Sequence, residues 1–346
     1  MKAILYHEYG SPDVLRCEEI QKPVPREDEV IIRVCAAAIN PMECGVIKGA
    51  GRFLNGWRRP RITCLGVDVA GQVEAAGKKV TRFKPGDNVF GVCVRNPQDP
   101  GLGVWTSHGA LAEYACVSET ALAIKPENVS FEQAAAVPVA ALTALQGLRD
   151  KGKLQPGQEV LINGASGGVG TFAVQVAKAF GANVTAVCSA RNVELVQSIG
   201  ADRVIDYTRE DFTRSGEKYD ILFDCIVNHS ALACRRILKP NGIYVAVGGP
   251  HGPMLGAITR MLMALFVAFV ASRFASRKLV IFIARPNSGD LDLLSDLLKS
   301  GKVIPVVNGC FALNETADAM RFLEQGHARG KVVITIACPR SPDPGR

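Results

Sequence analysis

From Val160 to Gly170 the chain reads VLINGASGGVG, an apolar run followed at once by Gly164, Gly167, Gly168 and Gly170. The residues Ala165-Ser166-Gly167-Gly168-Val169-Gly170 match a GxGxxG pattern with alanine in its first place. Small residues there let a chain turn tightly at a strand end. Gly167 lets the backbone approach a pyrophosphate, and Gly170 lets the next helix sit close to the strand. A helix opening at Gly168 would aim free N–H groups and its positive dipole end at phosphate oxygens. The pattern alone is weak evidence. A strand before it and a helix after it make a dinucleotide site the expectation.

A second constellation belongs about 20 residues on, where an acid would bond the ribose 2′-hydroxyl of NAD. The segment Val187-Cys188-Ser189-Ala190-Arg191-Asn192 holds no acid. Ser189 offers a hydroxyl there, and Arg191 a planar cation suited to a 2′-phosphate. Tyr207, past the third strand, could add a phenol. NADP(H) is therefore favoured over NAD. The candidate cofactor residues are Ala165, Ser166, Gly167, Gly168, Val169, Ser189, Arg191, Asn192 and Tyr207, with Gly248 and Ile283 at the ends of later strands.

The elements that must position these groups follow from the pattern of apolar residues. From about residue 126, strand-like runs alternate with helix-like ones. Glu159 to Ile162 precedes a helix from Gly168 to Phe180, and Val184 to Cys188 precedes one from Asn192 to Ile199. Then come Arg203 to Asp206, Ile221 to Ile226, a helix from Ser230 to Leu238, Ile243 to Val247 and Leu279 to Ile283. This alternation predicts an α/β fold with a doubly wound parallel sheet. The first 125 residues read as β-rich, with runs at 30–34, 67–75, 88–94 and 112–117 broken by Gly, Pro and Asp turns. Residues 95–109 read as a Gly/Pro loop. Two short helices (Asp290 to Lys299, Asn314 to Gln325) and a strand from Lys331 to Ile336 close the chain.

The bulk properties agree with two folded domains. Among 346 residues, 48% are hydrophobic and 21% charged, and 40 basic against 33 acidic residues leave a net charge of +7. That composition argues against disorder. The small, dispersed excess of charge argues against a nucleic-acid partner. The 11 cysteines are scattered singly with no CxxC pair, which speaks against a zinc ribbon or a disulfide framework. They read as buried thiols in a reducing compartment. No signal-peptide pattern is visible, so a cytoplasmic location is the default. The segment MLMALFVAFVAS, residues 261–272, is too short to span a bilayer. It reads either as a helix buried at a pocket or interface, or as one lying on a membrane surface beside Arg260, Arg273, Arg277 and Lys278. That leaves peripheral membrane contact open.

The motifs NGASGGVG, VCSARN and GADRVIDY resemble the zinc-free quinone oxidoreductase branch of the medium-chain dehydrogenase/reductase superfamily. So do AAAINPMECGVIKG, LGVDVAGQVEAAGKKVTRFKPGDNVFG, HGALAEYACV, AAAVPVAALTALQGL and GHARGKVVITI, in order across residues 1–337. Within the branch, the chain is most similar to NADPH-dependent quinone or 2-alkenal reductases, including mitochondrial and chloroplast-envelope relatives. The resemblance implies a GroES-like β-barrel catalytic domain (1–125), a Rossmann NADP-binding domain (126–290) and a C-terminal segment (291–346) returning to the first. It implies substrate entry by the cleft and a homodimer paired through Rossmann sheet edges, with Leu279 to Ile283 as the candidate edge. Asn40, Val67-Asp68 and Pro138 stand where zinc-dependent members carry ligands, so no metal is expected.

The resemblance also points to three catalytic candidates. Asn40 is the first candidate donor to the carbonyl oxygen that gains charge during hydride addition. Glu43 matches a family aspartate, and reads equally as a charge at a helix start. Thr143 matches the family threonine near the nicotinamide. Phe53 and Trp57, with the apolar segment, suggest a pocket for a small lipophilic quinone or enone. The alternatives are a zinc-independent alcohol dehydrogenase and a weakly catalytic NADPH-binding or membrane-associated protein.

Overall fold

The structure, a computed structural model, describes residues 1–95, 109–247, 278–326 and 328–336, apart from the side chains at 53 and 54. Gly248 and the apolar segment 254–272 lie outside the described residues, as do most of the loop expected at 95–109. Two compact units emerge. One comprises Met1–Val139, Arg285–Lys299 and Pro305–Arg346, and the other Ala140–Ala284 and Ser300–Ile304.

The second unit holds a six-stranded sheet in which every pairing is parallel. Its spatial order is Arg203–Asp206, Asn183–Cys188, Glu159–Asn163, Tyr219–Asp224, Leu238–Ala246 and Lys278–Ile281. The third, second and first strands of the unit thus run one way from the centre, and the fourth to sixth the other. That is the doubly wound order, with its switch point between Glu159–Asn163 and Tyr219–Asp224. The central strands are buried on both faces, as parallel strands under helices must be. Val160, Leu161, Ile162, Ile221, Leu222 and Phe223 are all 0% exposed.

The expected elements are present, with ends that differ for local reasons. The fourth strand stops at Asp224, two residues before the expected Ile226. The Asp224 carboxylate accepts the Ile226 and Val227 N–H groups at 3.0 and 2.8 Å and turns the chain, placing Val227 at φ 58°. The helix expected through Leu238 ends at Arg236, and Leu238 already pairs with Tyr219. The last sheet strand ends at Ile281 rather than Ile283.

The first unit is built on a seven-stranded sheet in the order Val307–Ala312, Lys331–Thr335, Glu29–Ile39, Asp68–Ala76, Asn88–Val92 and Leu122–Ile124, with Tyr114–Ser118 also on Glu29–Ile39. Only the Val307–Ala312 pairing is parallel. That strand was not anticipated from the sequence. The boundaries of the units also differ from the expected 125/126 and 290/291. Residues 126–139 stay with the first unit because the helix Phe131–Ala135 packs on its sheet and Val139 N donates to Asp68 Oδ1 at 2.8 Å. Residues 300–304 stay with the second, where Gln175 exchanges two hydrogen bonds with the Ile304 backbone at 2.7 and 3.0 Å. Among the described residues nine cysteines are free thiols, and most of these are buried.

Candidate functional site

The glycine turn forms as its residue types require. After the strand Glu159–Asn163, Gly164 takes φ 81° and the helix Gly168–Ala179 begins. A Cβ on Gly170 would lie 2.1 Å from Gly164 O and 2.7 Å from Ala165 Cα, so only glycine permits this close approach of helix to strand. A Cβ on Gly167 would meet only Gly164 O, at 3.4 Å, and otherwise project into open space. The N-cap residue, Gly167, has no side chain to cap this helix, and among the described residues no other is found to do so. Its first-turn N–H groups are therefore left for an anionic ligand, the arrangement that holds a pyrophosphate. Ala165 is buried, whereas Ser166, Gly167, Gly168 and Val169 are half-buried along the turn.

The second strand, Asn183–Cys188, delivers Ser189, half-buried, and Arg191, exposed. Tyr207 follows the third strand, 60% exposed, with its N–H on Cys188 O at 3.1 Å. These groups gather at the carboxyl ends of adjacent parallel strands, where such sheets bind nucleotides. Asn192 differs from them, since it is only 6% exposed. Its Nδ2 donates to Ser166 Oγ at 2.9 Å and Ser189 Oγ at 3.2 Å, tying the two loops together from beneath. Ile283, 62% exposed, lies two residues past the last sheet strand.

In the first unit Asn40 and Glu43 meet two residues that the sequence reading had not assigned to the site. Lys331 Nζ donates to Asn40 Oδ1 at 2.6 Å and to Asp68 Oδ2 at 2.8 Å. Asn40 Nδ2 donates to Asp68 Oδ2 at 3.0 Å and to Glu43 Oε2 at 3.4 Å. Glu43 also accepts Asn40 N at 2.7 Å and Gly66 N at 2.8 Å. Strand register makes the cluster. Val332 faces Ile39 and Asp68 faces Ala38, so Lys331 and Asp68 both converge on Asn40 at the strand's end. All four are buried, at 7% exposure or less. Burial, with Asp68 adding repulsion, pushes the Glu43 carboxyl up to about 7 against the pull of Lys331 and the two N–H donors.

The Asn40 amide, the donor candidate, faces two carboxylates here, Asp68 Oδ2 at 3.0 Å and, in a longer contact, Glu43 Oε2 at 3.4 Å. Glu43 is at the third position of the helix Pro41–Ile47, and its carboxylate caps the Asn40 N–H. The helix-start reading of Glu43 is thus the one the contacts support. Two signals could have exposed the cluster: a lone lysine heading the apolar run KVVITI, and an aspartate inside the apolar run VDVA. Thr143 is half-buried in the helix Pro138–Gln146, in the part that belongs to the second unit. Trp57 is 75% exposed rather than folded into a pocket wall.

Comparison with known proteins fits these features. The alcohol dehydrogenase GroES-like domain model matches residues 26–127, and the zinc-binding dehydrogenase model matches residues 199–334. The NADPH-dependent alkenal/one oxidoreductase of Arabidopsis thaliana is 37% identical over 339 residues, spanning 96% of this chain and 79% of its own. The 2-methylene-furan-3-one reductase of Solanum lycopersicum is 36% identical over the same spans. The structure of the quinone oxidoreductase from Coxiella burnetii superposes with a TM-score of 0.82 at 31% identity, covering 97% of this chain and 99% of that one.

The description of the second domain model raises zinc, but the residues here do not fit it. Asn40, Val67-Asp68 and Pro138 supply neither thiolate nor imidazole, and the Lys331 ammonium already stands between the Asn40 and Asp68 oxygens. Among the described residues no three potential ligand side chains gather around a metal position. One expectation is overturned. Several relatives carry chloroplastic or mitochondrial in their names, which points away from the cytoplasm. Among the described residues no helix is long and apolar enough to cross a membrane. From its glycine turn, its two-unit fold and these relatives, the chain belongs to the quinone oxidoreductase branch of the medium-chain dehydrogenase/reductase superfamily.

Proposed function

We propose that this protein is an NADPH-dependent oxidoreductase that reduces a small lipophilic quinone, or the alkene of an α,β-unsaturated carbonyl, without zinc. The carrying observation is the uncapped glycine turn beside a second strand that ends in Ser189 and Arg191 with no acid. The named activities of the relatives, alkenal/one and 2-methylene-furan-3-one reduction, support the substrate class. When bound, NADPH supplies the hydride. The first turn of Gly168–Ala179 would hold its pyrophosphate, and Ser189, Arg191 and Tyr207 its 2′-phosphate. Thr143 is assigned to the nicotinamide end on the strength of the family resemblance.

Charge developing on the acceptor's carbonyl oxygen needs a donor. The Asn40 amide faces Asp68 and Glu43, so the cluster around it positions the Asn40–Glu43 turn, and water is left as the proton source. That suits a quinone, whose reduced oxygens protonate readily from solvent. The test is NADPH oxidation against a panel of quinones and enones. Turnover with at least one class is expected, and none with any member of either overturns the assignment.

We further propose a homodimer formed through the strand Lys278–Ile281. Among the described residues it is the outermost strand of its sheet, and its last residue, Ile281, is 45% exposed. An edge of this kind invites pairing with a second copy.

A further inference from the structure

We propose that Asn192 is a positioning residue that sets the direction of the Ser166 and Ser189 hydroxyls, and through them the preference of the cradle for a 2′-phosphorylated nucleotide. The inference rests on the reading that Ser189 and Arg191 face the 2′-phosphate.

The argument begins with what each group can donate. A serine hydroxyl has one hydrogen to give and two places to accept. Asn192 is buried beneath two half-exposed serines from different loops, one on the glycine turn and one at the end of the second strand. Each of its two amide hydrogens goes to one serine oxygen, at 2.9 Å and 3.2 Å. Supplied from below, each serine uses an acceptor position inward and keeps its own O–H to donate outward. Phosphate oxygens only accept, so a site for them needs outward donors. A ribose 2′-hydroxyl would instead be served by an acceptor such as an acid. Asn192 thus fixes a donor polarity that Ser189 alone would leave free to rotate.

A second observation separates this role from packing. Asn192 Oδ1 is buried and has no hydrogen-bond partner among the described residues. A buried acceptor without a donor weakens the folded state. An apolar side chain of similar volume would serve the fold as well or better. The two N–H groups aimed at the serines are what an apolar residue could not supply.

The test measures binding of 2′,5′-ADP and of 5′-AMP by calorimetry, with thermal unfolding of the same proteins. The wild type should bind 2′,5′-ADP more tightly than 5′-AMP. If it does not, the phosphate reading itself fails and takes this proposal with it. Asn192→Leu removes both donors and the orphaned acceptor. It should reduce the ratio of the two affinities roughly tenfold, as expected for one lost charge-assisted hydrogen bond, with Tm no lower. Asn192→Asp is nearly isosteric. Its carboxylate would draw both hydroxyl hydrogens inward and turn lone pairs toward the phosphate, so the ratio should fall further than in the leucine variant. An unchanged ratio in both variants overturns the proposal. Equal weakening of both nucleotides with a lowered Tm also overturns it, because it would show a structural role only.

Discussion

Lys331 is a cation held 4% exposed against an aspartate that is 0% exposed. A buried ion pair is costly to assemble and costlier to break, since removing one partner strands the other charge away from water. Lys331→Met should therefore lower the unfolding free energy by about 3–5 kcal/mol in urea titration, and replacing Asp68 by leucine as well should restore much of it. Glu43 makes a pH prediction of opposite sense to most carboxylates. Its folded pKa lies above its unfolded value, so the folded chain holds the proton more tightly. Its contribution is fully present below about 4.5 and is lost as pH rises to about 7. The stability of the wild type relative to Glu43→Gln should fall across that window and level off above it. A difference that stays flat with pH would show that the carboxyl titrates normally.

At the scale of elements, the turn between Asn163 and Gly168 separates two uses of glycine. Gly170 serves the fold, because any Cβ there strikes backbone atoms of the same turn. Gly170→Ala should cost about 1–3 kcal/mol as an overpacked contact, read as a lower Tm. Gly167 has φ −82° and ψ 176°, a conformation any residue adopts, and open space where a Cβ would point. Gly167→Ala should leave the stability within about 0.5 kcal/mol. Its NADPH affinity should nonetheless fall roughly tenfold, because the methyl group would hold a pyrophosphate off the N–H groups. Equal effects of the two substitutions on Tm would contradict this division.

At the scale of the molecule, the strand Lys278–Ile281, outermost in its sheet among the described residues, is the feature with consequences. Two copies joined edge to edge would extend each six-stranded sheet into the other and cover Ile281. Ile281→Lys places a charge on that edge, a device that blocks strand pairing. Light scattering should then report a monomer-sized particle in place of a dimer. A dimer unchanged by the lysine would move the interface elsewhere.

What the amino-acid sequence determined by itself was local in origin. Alternating periods of apolar residues marked the parallel sheet and its helices to within a few residues, because burial on one face or both imposes that pattern directly. The glycine turn and the missing acid after Cys188 were legible for the same reason: each works through neighbours in the chain. The tertiary structure decided the rest. Lys331 reaches Asn40 across 291 residues through strand register, which neither segment records. Asn192 reads as one more polar residue at a helix start until the fold buries it under two serines from separate loops. The strand Val307–Ala312 takes its identity from the partner it pairs with. The carboxylates that the Asn40 amide faces, Asp68 and Glu43, were likewise chosen by the fold, because Asp68 arrives on another strand.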